Sequence, residues 1–438
     1  MRHLRLAGLL ALLFLPSLLP AQDPGGVRLE LRYRPEYQPG LVVLPFAGGG
    51  GEVATIRGII RQDLDYSDRF EMREAPGTRP GETVNVRLWK ERGADWVLDG
   101  ALTSRAGGLS LRLVLHDAVY GQVKGDQTIP LPPAGDPGFR MAVHAAADEV
   151  VRWATGDPGM AASRVAFVLA GRGGTKEIYL VDSDGENVQR VTSDGSIALS
   201  PAWSPDARRI AFTSYRTGVP ALYEREFASG RDRLISDRDG INITPAYAPD
   251  GRTIAFATTV GGNTELATYD RERGCCLQQL TRGRRFDSLS PSFSPDGREM
   301  AFVANGLGEP HIYVMRLGGE PRLLSEYVYG GRGYNTSPEW SPRGGNIVYH
   351  SRINGVPQLA VVSTNGGSPR FLTNEGANED PSWAPDGRHV VFSSPNRDGG
   401  GLFVLDTVSG RIRPLLRGRG YGLPAWSPLL MNLATRGR

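Results

Sequence analysis

Histidine is the side chain best suited to moving a proton near neutral pH, and this 438-residue chain has six, at positions 3, 116, 144, 311, 350 and 389. They are scattered. No H-E-x-x-H pair sets two imidazoles on one helical face for a metal, and no G-x-S-x-G elbow presents a serine nucleophile. "DSDGEN" (182–187) alternates acids like half of a calcium loop. The equivalent place in four later segments reads "RERG", "RLGG", "TNGG" and "TVSG", so a hairpin turn accounts for it. "GGGG" (48–51) stands between a strand pattern and a helix pattern, where a phosphate could sit. The Lys-Ser/Thr partner of such a cradle is missing, and a flexible loop is the simpler reading. "RGRGYG" (417–422) is a loop of the same kind. Cys275 and Cys276 are adjacent and fall in a hairpin; an exported chain could oxidise them, but they suggest no function. These patterns predict no enzyme, no cofactor and no metal site.

What recurs instead is one phrase: "SPAWSPDARRIAF" (200), "TPAYAPDGRTIAF" (244), "SPSFSPDGREMAF" (290), "SPEWSPRGGNIVY" (337) and "DPSWAPDGRHVVF" (380). Its aromatic is Trp203, Tyr247, Phe293, Trp340 and Trp383, spaced by 44, 46, 47 and 43 residues. A period near 45 with several strands per unit is the signature of a β-propeller blade. Each unit reads as four strands. P-x-aromatic opens the first. S-P-D-G then makes a type I turn, with Asp206, Asp250, Asp296 and Asp386 as turn formers. The second strand is "IAF" or its equivalent, and the fourth ends in "RLIS", "QQLT", "RLLS", "RFLT" or "RPLL". Two half-copies complete the count. "SRVAFV" (163–168) is a second strand without a first, and "LPAWSPLL" (423–430) is a first strand with nothing after it. The halves predict a six-bladed ring in which the strand around Trp426 closes the blade begun at Ser163, removing the open sheet edges. The aromatics are expected to pack between blades, among small neighbours such as Ala202, Ala246 and Ser292.

Residues 22–156 have a different texture. "VRLEL", "LVVLPF", "GADWVLDGALT" and "LSLRLVLHDAV" read as strands. Ile56, Ile59, Ile60 and Leu64 share one helical face, as do Phe139, Val143, Ala146, Val150 and Trp153, with Gly156 as a stop. The expected fold is therefore mixed: an N-terminal α/β domain (22–156), then an all-β six-bladed propeller (163–430) closed by the C-terminal strand. Residues 1–21 read as a secretory signal peptide. Arg2 and Arg5 precede an apolar stretch from Leu6 to Leu19, too short to span a bilayer comfortably, and Ala21 offers a cleavage point. Loss of Arg2 and Arg5 takes the formal charge from +3 to +1. A nearly neutral chain has no electrostatic footprint for nucleic acid.

The order of these parts, with "VRLEL…LVVLPF", "GADWVLDGALT", "HAAADEVV…TG" and a closing "PAWSPLL", resembles the TolB family of periplasmic propeller proteins in the Tol–Pal system. The resemblance covers the whole chain. It implies a non-enzymatic, monomeric periplasmic scaffold, peripheral to membranes, with two partners and a role in outer-membrane integrity and cell division. A Pal-like lipoprotein would bind the propeller mouth. The residues assigned there are Ser200, Thr244, Ser290, Ser337, Asp380 and Leu423, expected just before each first strand, with Asn242, Asp287, Asn335 and Asn378 nearby. A TolA-like inner-membrane protein would bind the segment Val27, Arg28, Leu29, Glu30, Leu31, Arg32 and Tyr33, whose alternation suits strand addition. The alternative is an exported propeller that holds a small ligand, such as a glycan or peptidoglycan fragment, in its channel. A cation among the carbonyls and acids of that channel is left open.

Overall fold

The computed structural model describes residues 37–105, 108–282, 286–326 and 333–431. The leader and Val27–Tyr33 lie outside them. The described residues form one five-stranded sheet and six four-stranded sheets. No helix among them is long and apolar enough to cross a membrane.

The first sheet uses β1 (Gly40–Val43), β2 (Glu71–Arg73), β3 (Trp96–Arg105), β4 (Gly108–Asp117) and β5 (Gln122–Leu131), in the order β2-β1-β3-β4-β5. Two helices cover it, α1 (Glu52–Tyr66) and α3 (Phe139–Thr155); the short α2 (Val86–Glu91) lies between them in sequence. The apolar faces read from the sequence are the buried ones: Ile56, Ile59, Ile60 and Leu64 of α1 meet Phe139, Val143, Ala146 and Val150 of α3 in one core. Gly156 ends α3 in the left-handed conformation (φ 79°), its N–H donating to the Arg152 carbonyl. Trp153 lies flat on Gly125 of β5, where an added Cβ would fall 2.1 Å from the indole. Gly125→Ala is therefore expected to cost about 1–3 kcal/mol through overpacking, read as a fall in the denaturant midpoint.

The propeller begins with β6 (Arg164–Ala170), β7 (Lys176–Asp182) and β8 (Gln189–Arg190). These three strands and the closing strand Tyr421–Trp426 make blade 1. Blades 2 to 6 open with the first strands Ala198–Trp203, Asn242–Tyr247, Ser288–Phe293, Asn335–Trp340 and Glu379–Trp383. The closure inferred from the half-copies is the one observed.

Two local devices explain why the phrase repeats. In the turn after the first strand, Ser204 Oγ accepts from Arg209 N and donates to Asp206, and Ser294 with Asp296 does the same in blade 4. The residue after the turn Asp is left-handed, and glycine fills that position at 251, 297 and 387. Blade 2 has Ala207 there, at φ 55°. Ala207→Gly should raise stability by up to about 1 kcal/mol, because a Cβ is unfavourable in that conformation; a thermal melt will show it. At the other end, the Ser or Thr that closes the fourth strand receives a backbone N–H from the third strand. Thr192 accepts from Ile178, Thr281 from Leu266, Ser325 from Ile312 and Thr373 from Leu359. Thr192, Thr281 and Thr373 then donate to Glu177, Glu265 and Gln358. This node gives the "RVT", "QLT", "LLS" and "FLT" endings a physical cause, while Ser236 of "LIS" donates to Asn242 instead.

"DSDGEN" is the turn between β7 and β8, and Cys275 and Cys276 are disulfide-bonded to each other at the start of the outermost strand of blade 3.

Candidate functional site: the axial cavity

A cavity of about 640 Å³ follows the propeller axis, lined by the first strands of all six blades. Its lining is built from the repeated phrase. Proline has no N–H for the sheet ladder, so a strand that contains one bulges there. The pairing of every first strand with its second strand is interrupted at this point. The residue before the proline takes up the extra length in the left-handed conformation: Ser200 (φ 52°), Thr244 (51°), Ser290 (51°), Ser337 (53°), Asp380 (51°) and Leu423 (47°). None is glycine, and each left-handed L-residue costs roughly 1–2 kcal/mol. All six line the cavity.

This placement corrects one expectation. These residues lie inside the first strands, not just before them, because the ladder resumes beyond the bulge. The four neighbours lie elsewhere. Asn242, Asn335 and Asn378 are buried in the blades. Asn242 donates to the carbonyls of Pro220 and Arg238 and accepts from Ser236, and Asn378 donates to Gln358 and the Glu375 carbonyl. Asn335 lies 3.5 Å from His311. Asp287 accepts from the Thr264 N–H. None of the four is among the cavity residues. Their polar atoms serve turns, which is a common use of Asn and Asp.

One lining residue was not singled out from the sequence. The position between proline and aromatic is Ala202, Ala246, Ser292, Glu339, Ser382 and Ala425 around the ring. Where it is polar, it accepts the backbone N–H of the next blade's aromatic. Ser292 accepts from Trp340, Glu339 from Trp383 and Ser382 from Trp426. Glu339 thus continues a structural link while placing a carboxyl in the cavity wall. Burial pushes it up to about 8, against the hydrogen bonds from Ser382 and Trp383. Asp380 is also raised by burial, partly offset by the Ser337 hydroxyl that donates to it at 2.9 Å. His350, whose Nδ1 accepts from Asp380 N, is pushed down to about 4 by burial. The odd acid in an otherwise small set was the available sequence signal.

A carboxyl raised in the folded state binds its proton more tightly there, so stability falls as pH rises from about 4.5 towards 8. Glu339→Ser keeps the acceptor and removes the acid. The variant is expected to melt higher than wild type at pH 8 and to lose that advantage at pH 5.

The aromatics pack between blades. Tyr247, Phe293, Trp340, Trp383 and Trp426 are 5–9% exposed, and Trp203 is half-buried. The Nε1 of Trp203 donates to the Ala425 carbonyl, and that of Trp383 to the Glu339 carbonyl, each across a blade boundary. The polar side chains of the cavity lining are those of Ser, Thr, Trp and Tyr and of two acids, Glu339 and Asp380. Metal-type donors meet elsewhere among the described residues, as Asp63–His144–Asp184 and Asp68–His389–Asp406, with ligand atoms within 4.8 Å of one another.

The architecture is that of a β-propeller with an axial cavity, preceded by a small α/β domain. A family model of the TolB beta propeller domain matches residues 151–430, and one of the TolB amino-terminal domain matches 28–123. The chain belongs to the TolB family. The crystal structure of TolB from Acinetobacter baumannii superposes with a TM-score of 0.77 at 27% identity, covering 90% of this chain and 98% of that one. The Tol-Pal system protein TolB of Methylococcus capsulatus is 33% identical over 211 residues, 46% of this chain and 49% of the relative. That of Bordetella avium is 30% identical over 243 residues, 55% and 54%. The chain spans about half the length of these curated relatives.

Proposed function

We propose that this protein is a non-enzymatic, periplasmic interaction scaffold of the Tol–Pal system. In this reading the axial cavity receives a Pal-like lipoprotein, and Val27–Tyr33 engages a TolA-like inner-membrane protein by strand addition. Bringing the two together would support outer-membrane integrity during constriction. The names of the relatives support the system. The observation that carries the site is the ring of six left-handed, non-glycine residues around one cavity. Backbone strain held at equivalent points of a rigid scaffold is a pointer to function.

The test is calorimetry of the mature protein with the Pal-like lipoprotein of the same cell. Ser290→Arg and Asp380→Lys, two blades apart on the ring, are each expected to weaken binding at least tenfold with the melting curve retained. Wild-type affinity in both would remove the cavity from the model. Deletion of residues 22–33 should abolish TolA-like binding and leave Pal-like binding intact.

One observation favours a second reading. The cavity volume lies in the range of small-molecule sites, so a glycan or peptidoglycan fragment is the alternative ligand. Saturable binding of a muropeptide, lost in Ser290→Arg, would support it.

A further inference from the structure

We propose that His144 and His389 form a proton-operated latch between the amino-terminal domain and the propeller, closed when both imidazoles are charged and released when they are neutral. The contact between the two parts has an apolar share, where Met141 and Ala145 of α3 pack with Leu429 to Met431, and a buried ionic share. His389 opens the second strand of blade 6 (His389–Ser394). In blades 2 and 3 the residue at this point braces the turn aspartate: Arg209 pairs with Asp206, and Thr253 donates to Asp250. His389 Nδ1 does the same with Asp386, at 2.7 Å. An imidazole has a second nitrogen, and Nε2 reaches Asp68 of the amino-terminal domain at 3.2 Å. His389, Asp386 and Asp68 are all buried.

His144 repeats the arrangement from the opposite side. It lies on α3, is fully buried, and its Nδ1 meets Asp63 of α1 at 2.7 Å. Its Nε2 has no hydrogen-bond partner and faces Asp184, in the "DSDGEN" turn of blade 1, at 3.8 Å. Each histidine therefore stands between a carboxylate of its own part and one of the other.

Only the imidazolium has two N–H donors; a neutral ring keeps one. Loss of the proton leaves a lone pair facing a buried carboxylate, so that carboxylate loses one of its two cationic partners and the contact across the two parts weakens. The arginines that share these carboxylates keep their charge throughout, so the two histidines set the pH-dependent part of the contact. Asp184 is paired with Arg140, and Asp182 and Asp148 lie near His144. Asp68 is paired with Arg411 and Asp406 with Arg388, while Arg69 faces Arg388 and Asp386. Carboxylates surround both rings. A metal ion is the weaker occupant, because the Arg140 and Arg388 guanidiniums already sit on Asp184 and Asp406.

The sign follows from the same contacts. Burial alone would lower both histidines, but their aspartates raise His389 and bring His144 up to about 9. A raised basic group stabilises fully below its ordinary value near 6.5 and loses that contribution as pH rises through the folded-state value. The latch therefore releases on the alkaline side.

The experiment has two readings on the full mature chain. Histidine ring protons followed by NMR should show two resonances that titrate above the ordinary value near 6.5, one lost in His144→Gln and the other in His389→Gln. Spin labels at Arg87→Cys and Arg298→Cys, both exposed, should give one narrow distance at pH 6.5. At pH 9.5 a longer population should appear, at least tenfold larger than at pH 6.5. His389→Arg fixes the charge, as Arg209 does in blade 2, and should cut that population at least threefold. Identical distances at the two pH values, or both histidines titrating at or below 6.5, would overturn the proposal. An unchanged alkaline population in His389→Arg would remove His389 from it.

Discussion

Trp426→Ala should destabilise the protein by about 3–5 kcal/mol, the range for removing a large buried aromatic. Trp426 is 5% exposed and packs with Val165 and Phe167 of blade 1 and with Val391 and Leu402 of blade 6. Its Nε1 donates to Ser163 at 2.7 Å and its backbone N–H to Ser382 at 2.9 Å. One residue therefore anchors the closing strand to two blades. Its loss should also raise amide exchange in β6 selectively, because β6 keeps only its β7 partner when the closing strand detaches. A denaturant midpoint and amide exchange by mass spectrometry provide both readings. A cost below about 1 kcal/mol, comparable to an ordinary surface change, would mean that ring closure does not depend on this side chain.

Arg388→Ala is the second large effect. Arg388 forms a two-pronged pair with Asp406, at 2.7 and 2.6 Å, and donates to the Asp68 carbonyl. Asp406 is wholly buried. Removing one partner of a buried pair costs about 3–5 kcal/mol, because the other charge remains unpaired. Burial opposes ionisation of Asp406, but Arg388 and Ser409 hold it down at about 2. A depressed acid stabilises above its ordinary value near 3.8 and loses that contribution as pH falls towards 2. The gap between wild type and variant should therefore be widest near pH 7 and narrow below pH 4. A gap independent of pH would mean that packing of the arginine stem, and not its charge, holds this corner.

The blades were readable because each uses the same phrase, and a phrase repeated about every 45 residues carries its own alignment. The two half-copies counted the ring. Helices α1 and α3 were readable from the apolar spacing of Ile56 to Leu64 and Phe139 to Trp153. Three elements were not. β5 alternates exposed polar residues along an edge and has almost no apolar run, α2 has six residues, and β2 has three. The cavity ring was legible as a set of positions, while its left-handed backbone was not, because serine, threonine and leucine do not announce that conformation. The roles of Asn242 and Asn378 were hidden for the opposite reason. Asparagine near a strand start looks like a surface residue, and only the fold shows that its amide is enclosed. The contacts of His389 with Asp68 join residues 321 positions apart, and no local pattern encodes such a pair.

The ring is fastened by residues 263 positions apart, Ser163 and Trp426. A chain made amino end first builds blades 2 to 6 while blade 1 waits as a three-stranded sheet. Until the stretch 421–426 arrives, the open flank of β6 is a template for any passing strand. Joining such distant segments is slow, because the intervening loop must be closed first. The vulnerable species is thus a nearly finished molecule, with five blades formed and one flank unguarded. The hazard of edge pairing is therefore greatest at the end of biogenesis, when most of the fold is already in place.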